Sequence, residues 1–258
     1  MSLRLSSGLR NHIAQRGSIK QGLQHGALYI YSGSQPATAD AAVTGTLLAI
    51  LTSSSGARTK EVQATGTITL TGGSAGSIDT LTVNSINIIP NGAVSYNASL
   101  SQTATDLATA INENITVPQY SASAAGAVVT IKAPLGLGTG GNGWVVTATL
   151  TTLTASYANM ANGVAQANGL KFGTSAAGVL SKLAAQTWSG AAVATGVAGW
   201  FRFVGAVDDP LTSDALALYN RLDGSIGISG ADVNMSNTSI VAGAAQTMAD
   251  FTITVPTL

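Results

Sequence analysis

Side chains that can do chemistry are sparse in this sequence, and few of them stand close to one another. One stretch, Gly136-x-Gly138-x-x-Gly141, has the spacing of a dinucleotide-binding loop. Such a loop works between a strand and the N-terminus of a helix that receives the pyrophosphate, whereas the residues that follow here, Trp144 to Leu150, read as a strand. A glycine hairpin loop is therefore the preferred reading. The two histidines, His12 and His25, lie in a basic segment with no acid nearby in sequence, so a metal site or a Ser-His-Asp relay would need distant partners. Asp208, Asp209 and Asp214 are the densest carboxylates; they could bind a cation through hard oxygen ligands, or simply keep a loop between strands soluble. Trp200 and Arg202 alternate with Phe201 and Phe203, which predicts a strand with one face in a core. Trp200 and Trp144 are the candidate ligand-facing aromatics, since aromatic rings on a β surface can bind sugars.

The supply of titratable groups bounds the function. With 11 basic, 11 acidic and 2 histidine side chains in 258 residues, a catalytic constellation would have to converge from very little, and the chain is not expected to be an enzyme or to hold a metal or cofactor. A net charge of zero argues against non-specific binding to nucleic acid or to a membrane surface, and leaves little repulsion between copies. Charged residues make up 9% of the chain, against roughly 25% in an average domain. Such a surface is covered by small polar groups or by neighbouring subunits. There is no cysteine, hence no disulfide framework. No window approaches a membrane span, and the first residues lack the apolar core of a secretory signal, so synthesis in the cytoplasm is expected.

The elements that would position these residues are mostly strands. Residues 1–25 carry Arg4, Arg10 and Arg16, with Leu5, Leu9 and Ile13 at i, i+4, i+8, the pattern of a short basic amphipathic helical arm. It could cap its own subunit or dock on an acidic neighbour, in which case these six residues form the interface. Gly26 to Gly33 and Thr44 to Thr52 read as strands, as do Gly169–Gly173, Gly199–Gly205, Arg221–Gly227 and Phe251–Val255. Between them the style differs. Leu81 and Val83 are out of phase with Ile86 and Ile88, which predicts a two-residue hairpin turn at Asn84-Ser85 with all four on one face. Thr103-x-x-Asp106 followed by Leu107 and Ile111 predicts a helix. The expected fold is thus mainly β: a β-sandwich or jelly-roll-like outer domain from residues 26–61 and 155–258, interrupted by a β-rich module over 62–154 that carries one α-helix.

The ends of the chain resemble bacteriophage virion structural proteins. The resemblance is carried by Met1 to Ile13, Tyr31 to Ala42, Thr44 to Leu48, Gly199 to Phe203, and Leu222 to Gly227 leading to Ser236 to Val241. The middle unit, through Thr103 to Asn112 after a β-hairpin, is similar to modules inserted in phage tail-sheath proteins, although the larger remaining domains of a sheath protein are lacking. The resemblance implies a structural component of the virion, foremost a capsid decoration (cement) protein. It implies copies of the same chain and major capsid or tail proteins as partners, without nucleic acid or membrane. A tail, baseplate or head-to-tail connecting protein is the alternative, and a host-surface or glycan-binding module a further one.

Overall fold

The computed structural model describes residues 3–15, 17–114 and 118–255. The fold is mainly β, as the strand patterns predict, with three α-helices among the described residues. None of the helices is long and apolar enough to cross a membrane. The chain divides into two compact units, Met1–Lys60 with Gln166–Leu258, and Glu61–Ala165.

The discontinuous unit is built on one extended sheet. Its strands run in the order Arg4–Leu5, Arg221–Gly227, Gly196–Val204, Ala27–Ser32, Leu47–Ser53, Trp188–Ala191 and Ala245–Met248, each antiparallel to its neighbours. Register sets the faces: Phe201 lies opposite Ile30 and Gly224, and Phe203 opposite Leu28 and Leu222. Because side chains alternate across a strand, these residues share one face, and they are fully buried or nearly so. A two-stranded sheet, Val179–Ser181 with Thr252–Thr254, adds Leu180 and Ile253 to the same core. Phe172 meets Trp188 edge-on at 5.4 Å, and Phe201 meets Phe251 edge-on at 5.5 Å, the geometry that aromatic quadrupoles favour. Residues 169–173, predicted as a strand, make only single bridges, Leu170 to Gly26 and Phe172 to Lys182.

The first residues are part of this core rather than an arm beside it. Arg4–Leu5 is the edge strand on Arg221–Gly227, and the helices Ser7–Gln15 and Ile19–Leu23 follow. Leu9 and Leu23 have no exposed surface and join the cluster around Phe201 and Phe203. Of the two readings of the amphipathic pattern, the cap on the chain's own body is the one observed. Ser18 caps the second helix, accepting from the Gln21 amide while Gln21 answers the Ser18 amide.

The second unit comprises two four-stranded sheets and a helix. One sheet orders Val146–Thr151, Ser77–Val83 and Ile86–Asn87, with Val94–Ser95 also on Ser77–Val83; the other orders Thr154–Ala161, Thr65–Gly72, Val128–Lys132 and Ser121–Ala125. The predicted hairpin forms, with Asn84 and Ser85 at φ 51° and 66°, the two positive angles of a type I′ turn. Leu81, Val83 and Ile88 are buried behind it, but Ile86 is 39% exposed at the turn's edge. The helix spans Leu100–Glu113 and starts earlier than its sequence pattern indicated, because Ser99 rather than Thr103 is the cap, accepting from the Gln102 amide. Its Ala104, Leu107, Ala108 and Ile111 pack into the core with Ile68, Val129 and Ile131. The unit also extends further than residues 62–154. Thr154–Ala161 pairs along Thr65–Gly72, Tyr157 opposite Ile68, so residues 155–165 belong here and not to the outer domain.

The burial of Leu9 sets a test. Leu9→Ala should lower unfolding free energy by about 2–5 kcal/mol in urea denaturation, while Ile13→Ser, at a partly exposed position of the same helix, should change it by about 0.5 kcal/mol or less. Equal, small effects from both would restore the arm reading.

Candidate interaction surface

The opposite face of the sheet carries Tyr31, Trp200, Arg202, Arg221 and Asp223, and it is buried as well. Arg202 Nε and Nη2 donate to the two carboxylate oxygens of Asp223 at 2.8 and 2.7 Å across the strand pair. Arg221 Nε and Nη2 donate to Asp209 at 2.7 Å each. These are bidentate, charge-assisted pairs, the geometry in which a guanidinium is best satisfied away from water. Burial pushes the Asp223 carboxyl above its ordinary range, with Arg202 pulling in the other direction. The remaining guanidinium donors reach the chain above: Arg202 Nη1 donates to the Ala41 carbonyl and Arg221 Nη1 to that of Ala39. Tyr31 stacks on Trp200 at 4.6 Å, and the Arg202 guanidinium lies 5.6 Å from the Trp200 ring. Desolvation in this layer drives the Tyr31 phenol well above its usual pKa.

The pair Arg221–Asp209 anchors residues 206–220, a loop held throughout by carboxylates. Asp209 also accepts from the Leu211 amide at 2.7 Å, and Asp214 accepts from the amides of Leu218 and Tyr219 at 3.0 and 2.9 Å. Leu211 and Ala217 sit at φ 63° and 54°, left-handed conformations that disfavour any residue with a Cβ. The N-terminal segment closes around the same loop. Ser6, fully buried, donates its hydroxyl to the Tyr219 carbonyl and accepts from the amides of Leu9 and Arg221. Gly8 abuts the loop so closely that a Cβ there would lie 2.4 Å from the Tyr219 carbonyl oxygen. Asp40 caps the helix by accepting from the Ser7 amide and hydroxyl, and its own carbonyl accepts from the Asp214 amide.

What this scaffold presents outward is apolar. Leu216 is 77% exposed and Leu218 62%, on either side of the left-handed Ala217. The backbone that carries these two leucines is held by Asp214 through the Leu218 and Tyr219 amides.

The residues predicted for an interface fall mostly beneath this surface. Arg4 donates to the Pro36 carbonyl, Leu5 is partly buried and Leu9 wholly so, which corrects their assignment as docking residues. Arg10 is exposed and donates to Ser7 Oγ at 2.9 Å, Ile13 is partly exposed, and Arg16 lies outside the described residues. Trp200 has no exposed surface and cannot face a ligand; Tyr31 stacks on it and the Arg202 guanidinium lies beside its ring. Trp144 is half-buried, its ring tilted against Tyr120 at 6.4 Å.

The carboxylates do not converge either. Asp208 pairs with Lys60, Asp209 with Arg221, and Asp214 binds backbone amides. Among the described residues no three His, Asp or Glu side chains could hold one metal ion. His25 lies at φ 65°, its pKa lowered by burial and by Lys171. The glycine loop contains a 3-10 turn, Gly138–Gly141, not the start of an α-helix. Its amides at Gly136 and Gly138 already donate to the buried carboxylate of Glu61 at 2.7 and 3.1 Å, so the position a phosphate would take belongs to the chain's own anion.

Sequence reasoning missed Leu216, Leu218, Ser6 and Asp40. The readable signal was the run Ala215 to Leu218 standing immediately after Asp214, apolar residues in a stretch bounded by the acids and proline of 208–210 and by a strand. Comparison of the chain with protein-family models, with curated proteins and with solved structures finds no match.

The buried pair gives a double-mutant test. Arg221→Met alone should destabilise the chain by about 3–5 kcal/mol, since Asp209 is left charged and unpaired, whereas Arg221→Met with Asp209→Leu should recover most of that loss in guanidinium unfolding. A double variant no more stable than the single one would mean that the pair is not the anchor.

Proposed function

We propose that this chain is a structural component of a bacteriophage particle, a capsid decoration protein that binds copies of itself and the major capsid protein through buried interface area repeated by symmetry. The observation that carries the reading is the rigid presentation of Leu216 and Leu218, 77% and 62% exposed, on a loop pinned by buried ion pairs. In such an assembly these apolar side chains would be covered by a neighbouring subunit. The low charge of the chain fits a subunit locked among neighbours, and the resemblance of its ends to virion structural proteins points the same way. On this reading the protein is no enzyme, acts without cofactor, nucleic acid or membrane, and resides in the virion. The burial of Trp200 weighs against a glycan-binding role resting on that ring. The resemblance of the middle unit to sheath insertions supports a second reading, a tail, baseplate or head-to-tail connecting protein.

Immunogold microscopy of purified particles with antibody against residues 61–165 should label heads. Label confined to tails would move the protein to the second reading, and unlabelled intact particles would refute both. Leu216→Asp with Leu218→Asp should leave the melting temperature within a few degrees and reduce incorporation into particles by about tenfold or more.

A further inference from the structure

Arg58 differs from Arg202 and Arg221 in what faces it. Its Nη2 donates to the carbonyls of Gly205 and Ala206 at 2.6 and 2.8 Å, and its side chain hydrogen-bonds with Tyr29. Its Nε is buried and finds no acceptor among the described residues. No carboxylate among the described residues is bound to it: Asp208 pairs with Lys60, and both oxygens of Asp209 are taken by Arg221. Burial pushes the Arg58 guanidinium below its ordinary pKa, opposed by Tyr29, Asp208 and Asp209. Arg58 is partly withdrawn from water and no carboxylate among the described residues offsets that loss, so an anion supplied at its open side is the direct relief.

Arg58 and Lys60 line a cleft of about 340 Å³ within the discontinuous unit, together with Tyr29, Ile50, Thr52 and Ser55. The hydroxyls of Thr52 and Ser55 are engaged, Thr52 donating to the Gly56 carbonyl and Ser55 bonding with Ser189, and Lys60 is paired with the exposed Asp208, so a ligand meets Arg58 directly and shares Lys60 with Asp208. Counting Asp208 with Lys60, the wall retains one excess positive charge, on Arg58. The volume exceeds what a bare ion needs, and Ile50 and Ala191 give part of the lining an apolar character.

We propose that this cleft binds a carboxylate carried on a short aliphatic stem, the carboxylate meeting Arg58 and Lys60 and the stem lying against Ile50. The two fully buried arginines, Arg202 and Arg221, each take a carboxylate in bidentate form, and the partly buried Arg58 offers the same chemistry to a partner from outside. The same chemistry is found in a free short-chain acid and in a glutamate side chain of a neighbouring protein. The proposal does not depend on a place in the virion.

The test titrates the full chain with glutarate and, separately, with a blocked Gly-Glu-Gly peptide, against chloride at matched ionic strength, following the melting temperature. A saturable rise with either probe is expected, because a ligand of the native state stabilises it by mass action. A rise with glutarate alone identifies a free acid as the ligand, and a rise with the peptide as well identifies a protein side chain. Lys60→Met, at an exposed position, should weaken the apparent affinity by about tenfold, and Arg58→Met should abolish the rise. No saturable rise with either probe, or a rise undiminished in Lys60→Met, overturns the proposal even where Arg58→Met fails to fold.

Discussion

A guanidinium buried beneath a sheet must find its acceptors inside the protein, and in this chain two of them, Arg202 and Arg221, find theirs in Asp223 and Asp209. Much of the discontinuous unit is arranged by that demand. The strand Arg221–Gly227 is buried along nearly its whole length, apolar on the side of Phe201 and Phe203 and ionic on the other. A polar face of this kind would ordinarily be left to water. Instead the carbonyls of Ala39 and Ala41 answer the remaining guanidinium donors, so the 34–46 loop lies where the arginines require it. Buried ion pairs of good geometry add little net stability over an apolar replacement. What the pairs supply here is position: the two loops lie where Arg202 and Arg221 both find their acceptors.

That position has a visible consequence in residues 206–220. Left-handed backbone at Leu211 and Ala217 costs about 1–2 kcal/mol at each residue, and it persists because Asp209 and Asp214 hold the amides beside it. The N-terminal segment completes the clamp through Ser6 and Gly8, and the 34–46 loop through Asp40, each touching residues 206–220 by a hydrogen bond or a close approach. Ala217, one of the strained residues, lies between Leu216 and Leu218, which links the ion pairs under the sheet to the most exposed large apolar side chain of the described residues.

The sequence made the local features legible and the distant ones obscure. Strand alternation at Gly199 to Val204, the I′ turn at Asn84-Ser85 and the helical spacing of Leu107 and Ile111 are written in neighbouring residues, and each appears in the structure. The extent of the inserted unit was misjudged because Thr154–Ala161 declares its membership only by pairing with Thr65–Gly72, a contact between segments far apart in the chain. The same reason hid the surface. Leu9 and Ile13 share a helix face by spacing, yet whether that face meets its own core or a neighbour depends on Phe201 and Phe203. Trp200 is a candidate for ligand contact by sequence because nothing near it in the chain announces that Tyr31 will stack on it and bury it. Arg202 and Asp223 are a pair only once register sets them opposite each other.

Held by Asp209 and Asp214, residues 206–220 form an ordered platform and not a loose connection. Amide hydrogen exchange followed by NMR measures this at single residues, because protection reports the free energy of opening. The account predicts slow exchange at Leu218 and Tyr219, whose amides are held by Asp214, with the protection lost in Asp214→Asn. Exchange of those two amides in the native chain at the rate of an unstructured peptide would contradict it.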